Sequence, residues 1–314
     1  MPWISFCIST YKRPELLKKQ LSFISSQTFK DFEAVVSYND PECSAETVVN
    51  KFDSRFKYNP NLTNLGMIES FNRSIKNSVG DYIIMITDDD FFSDTEKLNF
   101  FHEIFDKIPD QSIYINCLRK GKGNGEIQYC DKNNFVYELL NPYITAAFLW
   151  SDCILKSSIV KAIGGMPNYG SPHLADHAML ALCGRENGGV FINNESLKIN
   201  SHDNNFSKRN LDTYYLGCKG FYELMHKQFS NIQLQKDVNV LDIHVKRWTF
   251  KSLLTLKGYY MKNKMKEDLK LLDKLSSSIF SLEFMKKHLN EYRKALILFY
   301  FKNLKKTLAF YLSK

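Results

Sequence analysis

The residues best placed to do chemistry are three adjacent carboxylates, Asp88, Asp89 and Asp90. They follow Tyr82–Thr87 (YIIMIT), an apolar run after Gly80-Asp81 that reads as a strand buried on both faces. Neighbouring carboxylates repel one another, and each raises the proton affinity of the next. A cation relieves that repulsion. Carboxylate oxygens suit hard divalent ions, and Mg2+ commonly bridges one or two carboxylates to a substrate's phosphates, with Mn2+ favouring the same oxygen ligands. Asp88 and Asp90 stand two apart, so they can frame one ion within a turn and are the candidate metal ligands. The plainer reading is a solvated acidic turn ahead of a helix, and the position after a buried strand weakens it. The glycines at 121, 123 and 125 lack the GK[ST] ending of a phosphate loop and read as a turn. No Ser/His/Asp nucleophile pattern is legible.

The elements that must position these carboxylates alternate along the chain. Trp3–Ser9, Phe32–Tyr38 and Arg55–Tyr58 read as strands beside Tyr82–Thr87. Helical patterns run from Pro14 to about Ser26, over Ser44–Phe52 and over Met67–Ser78. A fourth follows the apparent capping box Ser93–Glu96 and extends to about Ile108. Such alternation implies βαβ units and a parallel sheet, in which ligands bind outside the carboxyl ends of the strands. That rule selects three loops: Thr10–Arg13, Tyr38–Asp40 and Asp88–Phe92. Further on, Ser112–Lys120, Glu126–Asp131 and Val190–Asn200 read as strands, and Lys156–Ile163 and Ala175–Glu186 as helices. From Leu211 the pattern is helical almost throughout, with apolar residues at three- and four-residue spacing (Leu253, Leu256, Tyr260). The expected architecture is α/β, Rossmann-like, with a mostly parallel sheet and flanking helices over residues 1–210. A basic helical extension over 211–314 follows.

Several phrases, in order and in spacing, resemble family 2 glycosyltransferases, which have the GT-A fold. They are Ile4–Pro14 (ISFCISTYKRP), Gln27–Glu33, Asn64-Leu65-Gly66, Phe71-Asn72-Arg73-Ser74-Ile75 and Gly80-Asp81-Tyr82 running into the acidic turn. The resemblance is strong over about residues 3–92, looser to about residue 207, and absent from the last third. It implies a nucleotide-sugar donor and a divalent metal, Mn2+ or Mg2+, with Asp88 and Asp90 on the family's metal-binding DxD. Thr10, Tyr11 and Arg13 fall on the first loop, along the nucleotide. Asn72 and Asp89 fall within matching phrases and are assigned to the donor. Many members carry two acidic residues after the second strand, one of which contacts the base. This chain has Asn39-Asp40 there, and either residue can serve.

By the same resemblance, the catalytic base lies at the start of a helix after a glycine-rich turn. Gly164-Gly165-Met166-Pro167 and then Leu174–Leu180 occupy that place, with Asp176 on the second acidic position and Ala175 in place of the first. Ser201–Ser207 resembles the stretch in which a histidine approaches metal or diphosphate, which makes His202 a candidate ligand; Lys208 and Arg209 could meet phosphate. Trp150 is read as core rather than as a sugar-stacking residue. The implied activity is metal-dependent, inverting transfer of a sugar to a hydroxyl of a glycan or lipid-linked acceptor, in assembly of a bacterial surface polysaccharide. Two alternatives stand beside it: a nucleotidyltransferase, and a non-catalytic carbohydrate-binding or scaffold protein derived from a transferase.

Charge separates the two regions. The chain of 314 residues has a net charge of +8, but residues 211–314 alone carry 20 Lys+Arg against 9 Asp+Glu. The segment 289–314 mixes aromatic and aliphatic residues with Arg293, Lys294, Lys302, Lys305, Lys306 and Lys314, a composition that suits an anionic membrane surface. No recognition motif supports nucleic acid as the partner. At 44% hydrophobic and 24% charged, the composition excludes a disordered or fibrous chain. The seven cysteines are widely spaced with no CxxC pair, which reads as reduced thiols in the cytoplasm rather than a zinc site. The amino terminus enters a strand-like run with no basic leader, and no stretch reaches the roughly 18–20 apolar residues of a membrane span. The expected location is cytoplasmic, peripheral on the inner face of the membrane.

Overall fold

The computed structural model describes all residues except 41, 43–44, 91–93, 120–122, 195–209, 230–233 and 313–314; side chains of 234–239 and 303–312 are likewise outside the description. The chain divides into two compact units, Met1–His202 and Asp203–Lys314.

The first unit is built on an eight-stranded sheet: β1 (Ile4–Thr10), β2 (Phe32–Tyr38), β3 (Phe56–Pro60), β4 (Tyr82–Thr87), β5 (Ile113–Arg119), β6 (Glu126–Cys130), β7 (Thr145–Lys156) and β8 (Gly189–Asn193). Its order is β3-β2-β1-β4-β7-β5-β8-β6. β1 pairs in parallel with both β2 and β4, and β2 with β3; β7 is antiparallel to β4 and to β5. Alternating side chains feed two apolar layers. Phe6, Ile8, Val36, Ile84 and Ile86 meet Leu17, Leu21 and Ile24 of α1 (Pro14–Ser25) and Leu98, Phe101 and Ile104 of α4 (Lys97–Lys107). The opposite face carries α3 (Gly66–Asn77), α5 (Lys132–Leu140), α6 (Ser157–Ala162) and α7 (Ala175–Asn187); Phe135 of α5 stacks on Phe191 of β8 at 5.0 Å, and α3 packs on β1 and β2. Both faces of β1, β2 and β4 are therefore covered, which is why β4 is a continuous apolar run and even the polar Ser5, Glu33 and Ser37 of β1 and β2 are buried.

Three local expectations change. The helix over Ser44–Phe52 contracts to the single turn α2, Glu46–Val49. The helix expected after the Ser93–Glu96 capping box opens at Lys97 with Glu96 as its cap residue, whose N–H donates to Asp94 Oδ1 at 2.9 Å. Ser93 lies outside the described residues. Helix α5 and strand β7 are additions. α5 is capped by the Asp131 side chain, and β7 is a 12-residue strand whose Ser151-Asp152 pair interrupts the apolar pattern.

The second unit is helical: α8 (Asp212–Phe229), α9 (Leu234–Lys262), α10 (Lys266–Ile279), α11 (Glu283–Lys286) and α12 (Leu289–Leu312). Phe221, Leu253, Tyr260, Leu272, Ile279 and Met285 are buried in it, and Tyr222 stacks flat on Phe284 at 3.7 Å.

Candidate active site

The three loops selected from the sequence come together at the carboxyl edge of the sheet. Ser9 is level with Thr87, and Thr10 with Tyr38. The Thr10 hydroxyl donates to Asp88 Oδ2 at 2.5 Å, and Arg13 Nη1 donates to Asp88 Oδ1 at 3.0 Å and Asp89 Oδ2 at 3.3 Å. Thr87 Oγ1 holds Asp89 Oδ1 at 2.6 Å. The first loop is therefore fastened to the acidic turn by side chains 75 to 78 residues apart in sequence. Lys12 takes a positive φ of 52° there, leaving Tyr11 exposed.

Burial dominates the electrostatics of the turn. The Asp88 side chain is 3% exposed; burial pushes its carboxyl above the ordinary range, and Thr10 and Arg13 oppose the shift. Asp90 is pushed up to about 6, by burial first and by the charge of Asp89 second, against the Thr87, Ser151 and Trp150 side chains. These carboxylates are hard oxygen donors held ionised at a cost, which is the donor chemistry a divalent cation fits. Among the described residues no three His, Cys, Asp or Glu side chains cluster tightly enough to hold an ion. The turn suits an ion whose remaining ligands come from a bound diphosphate or water.

At the second loop the two candidates have different surroundings. Asn39 is buried and fully engaged: its Nδ2 donates to Gly66 O at 3.1 Å, and its Oδ1 accepts from Asn61 Nδ2 at 2.8 Å and Leu65 N at 3.3 Å. It braces the approach to α3. Asp40, also buried, accepts the Glu42 N–H at 3.2 Å through Oδ1. Asn72 is engaged as well. Its amide donates to Met166 O at 3.0 Å and accepts from Met166 N at 2.8 Å, tying α3 to the glycine-rich turn. Gly165 in that turn has φ +79°, and a Cβ there would stand 2.4 Å from Asn72 Oδ1, so only glycine fits the contact.

That turn leads to α7. Asp176 lies in the first turn of the helix after Leu174, whose φ of 63° sets the entry angle. Its side chain is 28% exposed, yet burial lifts the carboxyl to about 6, countered by backbone N–H groups of the helix start. His177 packs its ring 4.6 Å from Phe148.

Strand β7 joins the acidic turn to this helix. Ile115 of β5 pairs with Cys153, but Cys117 pairs with Phe148, so β7 spends five residues where β5 spends two. The bulge is closed by the Cys153 thiol donating to Leu149 O at 3.1 Å. It directs Trp150 against Phe71 of α3, ring centroids 4.8 Å apart, with the indole reaching Asp90. Phe148 touches the neighbour of Asp176, Trp150 touches Asp90, and the two stand two residues apart on β7. Sequence reading left Trp150 in the core and missed β7; the Ser-Asp pair inside an apolar run was the available signal. Beneath the site, Asp152, fully buried, pairs with Lys97 Nζ at 2.6 Å and accepts from Asn116 Nδ2 at 2.8 Å. His202, Lys208 and Arg209 lie outside the described residues.

The family model for Glycosyl transferase family 2 matches residues 5–163, half of the chain. The chain belongs to this family. The match includes the first loop, the acidic turn and the β7 bulge, and ends just before the glycine-rich turn and Asp176. A curated relative, the GalNAc(5)-diNAcBac-PP-undecaprenol beta-1,3-glucosyltransferase of Campylobacter jejuni, is 33% identical over 137 residues. That match covers 42% of this chain and 43% of the relative, so the chain spans less than half the relative's length. Among solved structures, S. aureus TarS 1–349 superposes with TM-score 0.59 at 15% identity, covering 93% of this chain and 91% of that one. The mannosyltransferase PcManGT from Pyrobaculum calidifontis, in complex with GDP-Man and Mn2+, superposes with TM-score 0.58 at 12% identity, over 96% and 87% of the two chains. At these identities the superpositions establish the fold, which is GT-A.

Proposed function

We propose that the protein is a metal-dependent, inverting glycosyltransferase that moves a sugar from a nucleotide-sugar donor to a hydroxyl of a glycan or lipid-linked acceptor. The observation that carries this is the β7 bulge: its Trp150 reaches Asp90 of the acidic turn, and Phe148, two residues earlier on the same strand, packs on His177, the neighbour of Asp176. Asp88 and Asp90 would hold Mn2+ or Mg2+ together with the donor diphosphate. When bound, the ion supplies Lewis-acid stabilisation of the charge that develops on the departing diphosphate. Arg13 and Thr10 orient the carboxylates, Tyr11 lies along the nucleotide, and Asp40 is the second-loop residue assigned to the base.

Asp176 acts as general base. It accepts the acceptor hydroxyl's proton as that oxygen attacks the anomeric carbon from the face opposite the leaving group, and a single displacement of this kind inverts configuration. A carboxyl titrating at about 6 is mostly ionised at neutral pH and still basic enough to take a proton. The named relative's lipid-linked substrate and the exposed Ile297, Leu298 and Phe301 beside Arg293, Lys294 and Lys302 on α12 support a peripheral position on the cytoplasmic face of a membrane. No helix among the described residues is long and apolar enough to cross one.

Asp176→Asn tests the assignment. Transfer should fall by about 10²–10⁴, while nucleotide sugar with Mn2+ still raises the melting temperature. A ligand at about 100 times its Kd stabilises by about 2.7 kcal/mol, enough to identify the donor from a nucleotide-sugar panel. An unchanged transfer rate in the variant would refute the base assignment.

A further inference from the structure

A second polar site lies at the carboxyl edge of the sheet, on the other side of β7 from the acidic turn. A cavity of about 390 Å³ opens there between Arg119 at the end of β5, Asn193 at the end of β8, and Glu126 and Gln128 on β6. Strand direction places it at the same edge as the acidic turn. β7 runs against both β4 and β5, so β5 runs with β4, and β8 is parallel to β5. Register places it on the same face as α7. Glu126 pairs with Asn193 and Gln128 with Phe191; cross-strand partners share a face, and Phe191 stacks on Phe135 of α5, which packs on α7. Phe148 abuts His177, and Thr145 stands opposite Arg119. Those two positions lie three residues apart on β7, opposite Cys117 and Arg119 of β5. The acidic turn, Asp176 and the cavity thus form a row along one edge.

The cavity is built rather than incidental. Arg119, 12% exposed, donates through Nη2 to Glu138 at 2.5 Å and lies 4.3 Å over the Phe191 ring. Its other nitrogen, Nη1, is buried and has no hydrogen-bond partner among the described residues. Asn193 locks the rim, accepting the Arg119 N–H at 2.9 Å and donating to Asn124 at 2.7 Å. One guanidinium faces two carboxylates, Glu126 and Glu138, so the lining does not favour a phosphate or another anion. Donors and acceptors are mixed, and a hydroxyl, which is both, matches such a lining.

We propose that this cavity binds a neutral sugar unit of the acceptor glycan, away from the hydroxyl that Asp176 deprotonates; the proposal rests on the transferase reading above. The test is saturation-transfer NMR on the full-length chain with maltose, cellobiose and N,N'-diacetylchitobiose at millimolar concentration. At least one disaccharide should receive saturation from the wild type. Glu126→Ala/Gln128→Ala changes two exposed positions on the edge strand, and should weaken that binding roughly tenfold through two lost hydrogen bonds. Its fold is checked by its melting curve, and Gln128→Ala alone serves if the pair unfolds. Equal binding by wild type and variant, or no binding of any disaccharide to the wild type, would overturn the proposal. The thermal shift of the wild type with nucleotide sugars and Mn2+ is read in parallel. Its absence would sink the transferase reading and leave the cavity result standing.

Discussion

Two aspartates carry opposite consequences for pH at the residue scale. Asp176 must be ionised to act as a base, and its carboxyl titrates at about 6. Transfer measured as kcat/KM should therefore rise with pH and reach half its plateau near pH 6. A flat profile between pH 5 and 8 would exclude this carboxylate as the base. Asp90 is also raised to about 6 from 3.8, so the folded, metal-free protein binds its proton more tightly than the unfolded chain does. Its contribution to stability is full below the ordinary aspartate value and is lost as pH rises toward 6. At about 1.4 kcal/mol per unit, Asp90→Asn should stabilise the metal-free protein at pH 7 by up to about 3 kcal/mol. The two proteins should converge below about pH 4, and thermal melts in chelator across that range decide it. A variant that melts lower at pH 7 would show that the charge is already compensated. The same variant should lose transfer if, as proposed, Asp90 holds the ion.

At the element scale, the site depends on braces between elements. Asn72 holds the turn ahead of α7 through two hydrogen bonds to Met166. Asn72→Ala should cost about 1–3 kcal/mol of stability, displace the start of α7, and lower kcat while leaving the nucleotide-sugar affinity near wild type. A loss of donor affinity with kcat intact would return Asn72 to the donor site. Gly165→Ala should give the same signature, because it forces a side chain onto Asn72 at a positive φ. Much of the fold was legible because its signals are local: β2 and β4 match their apolar runs residue for residue, and α1 starts at Pro14 as its pattern implies. β7 was not legible, because its buried charge and the side chains of its bulge meet Lys97, Asn116 and Asp90, between 36 and 61 residues away.

At the scale of the whole chain, the proposal gives the two units different partners, a nucleotide sugar for the first and an anionic membrane surface for the basic helical unit. The exposed cations of α12 predict salt-sensitive binding to vesicles containing anionic lipid. Reversing Arg293, Lys294 and Lys302 to glutamate should abolish co-sedimentation at low salt, at about 1 kcal/mol per residue near the surface. Equal pelleting of wild type and variant would remove the membrane from the account. The site in the first unit should be unaffected in its donor affinity, since none of the three residues belongs to that unit.

What the sequence determined by itself was the alternation of strands and helices, the acidic turn at the end of a buried strand, and the phrases that mark the family. Each of these is written in contiguous residues, where periodicity and short motifs constrain the backbone directly. Only the tertiary structure decided which polar residues are free to act. Asn39 and Asn72 hydrogen-bond to neighbouring elements, and Trp150 packs on Phe71 while its indole reaches Asp90. The cavity under Arg119 had no sequence signature at all. The physical reason is the same in each case. A side chain's role is set by the partners that saturate its hydrogen bonds and by how deeply it is buried, and here those partners lie on other elements, brought within reach only by the register of the sheet.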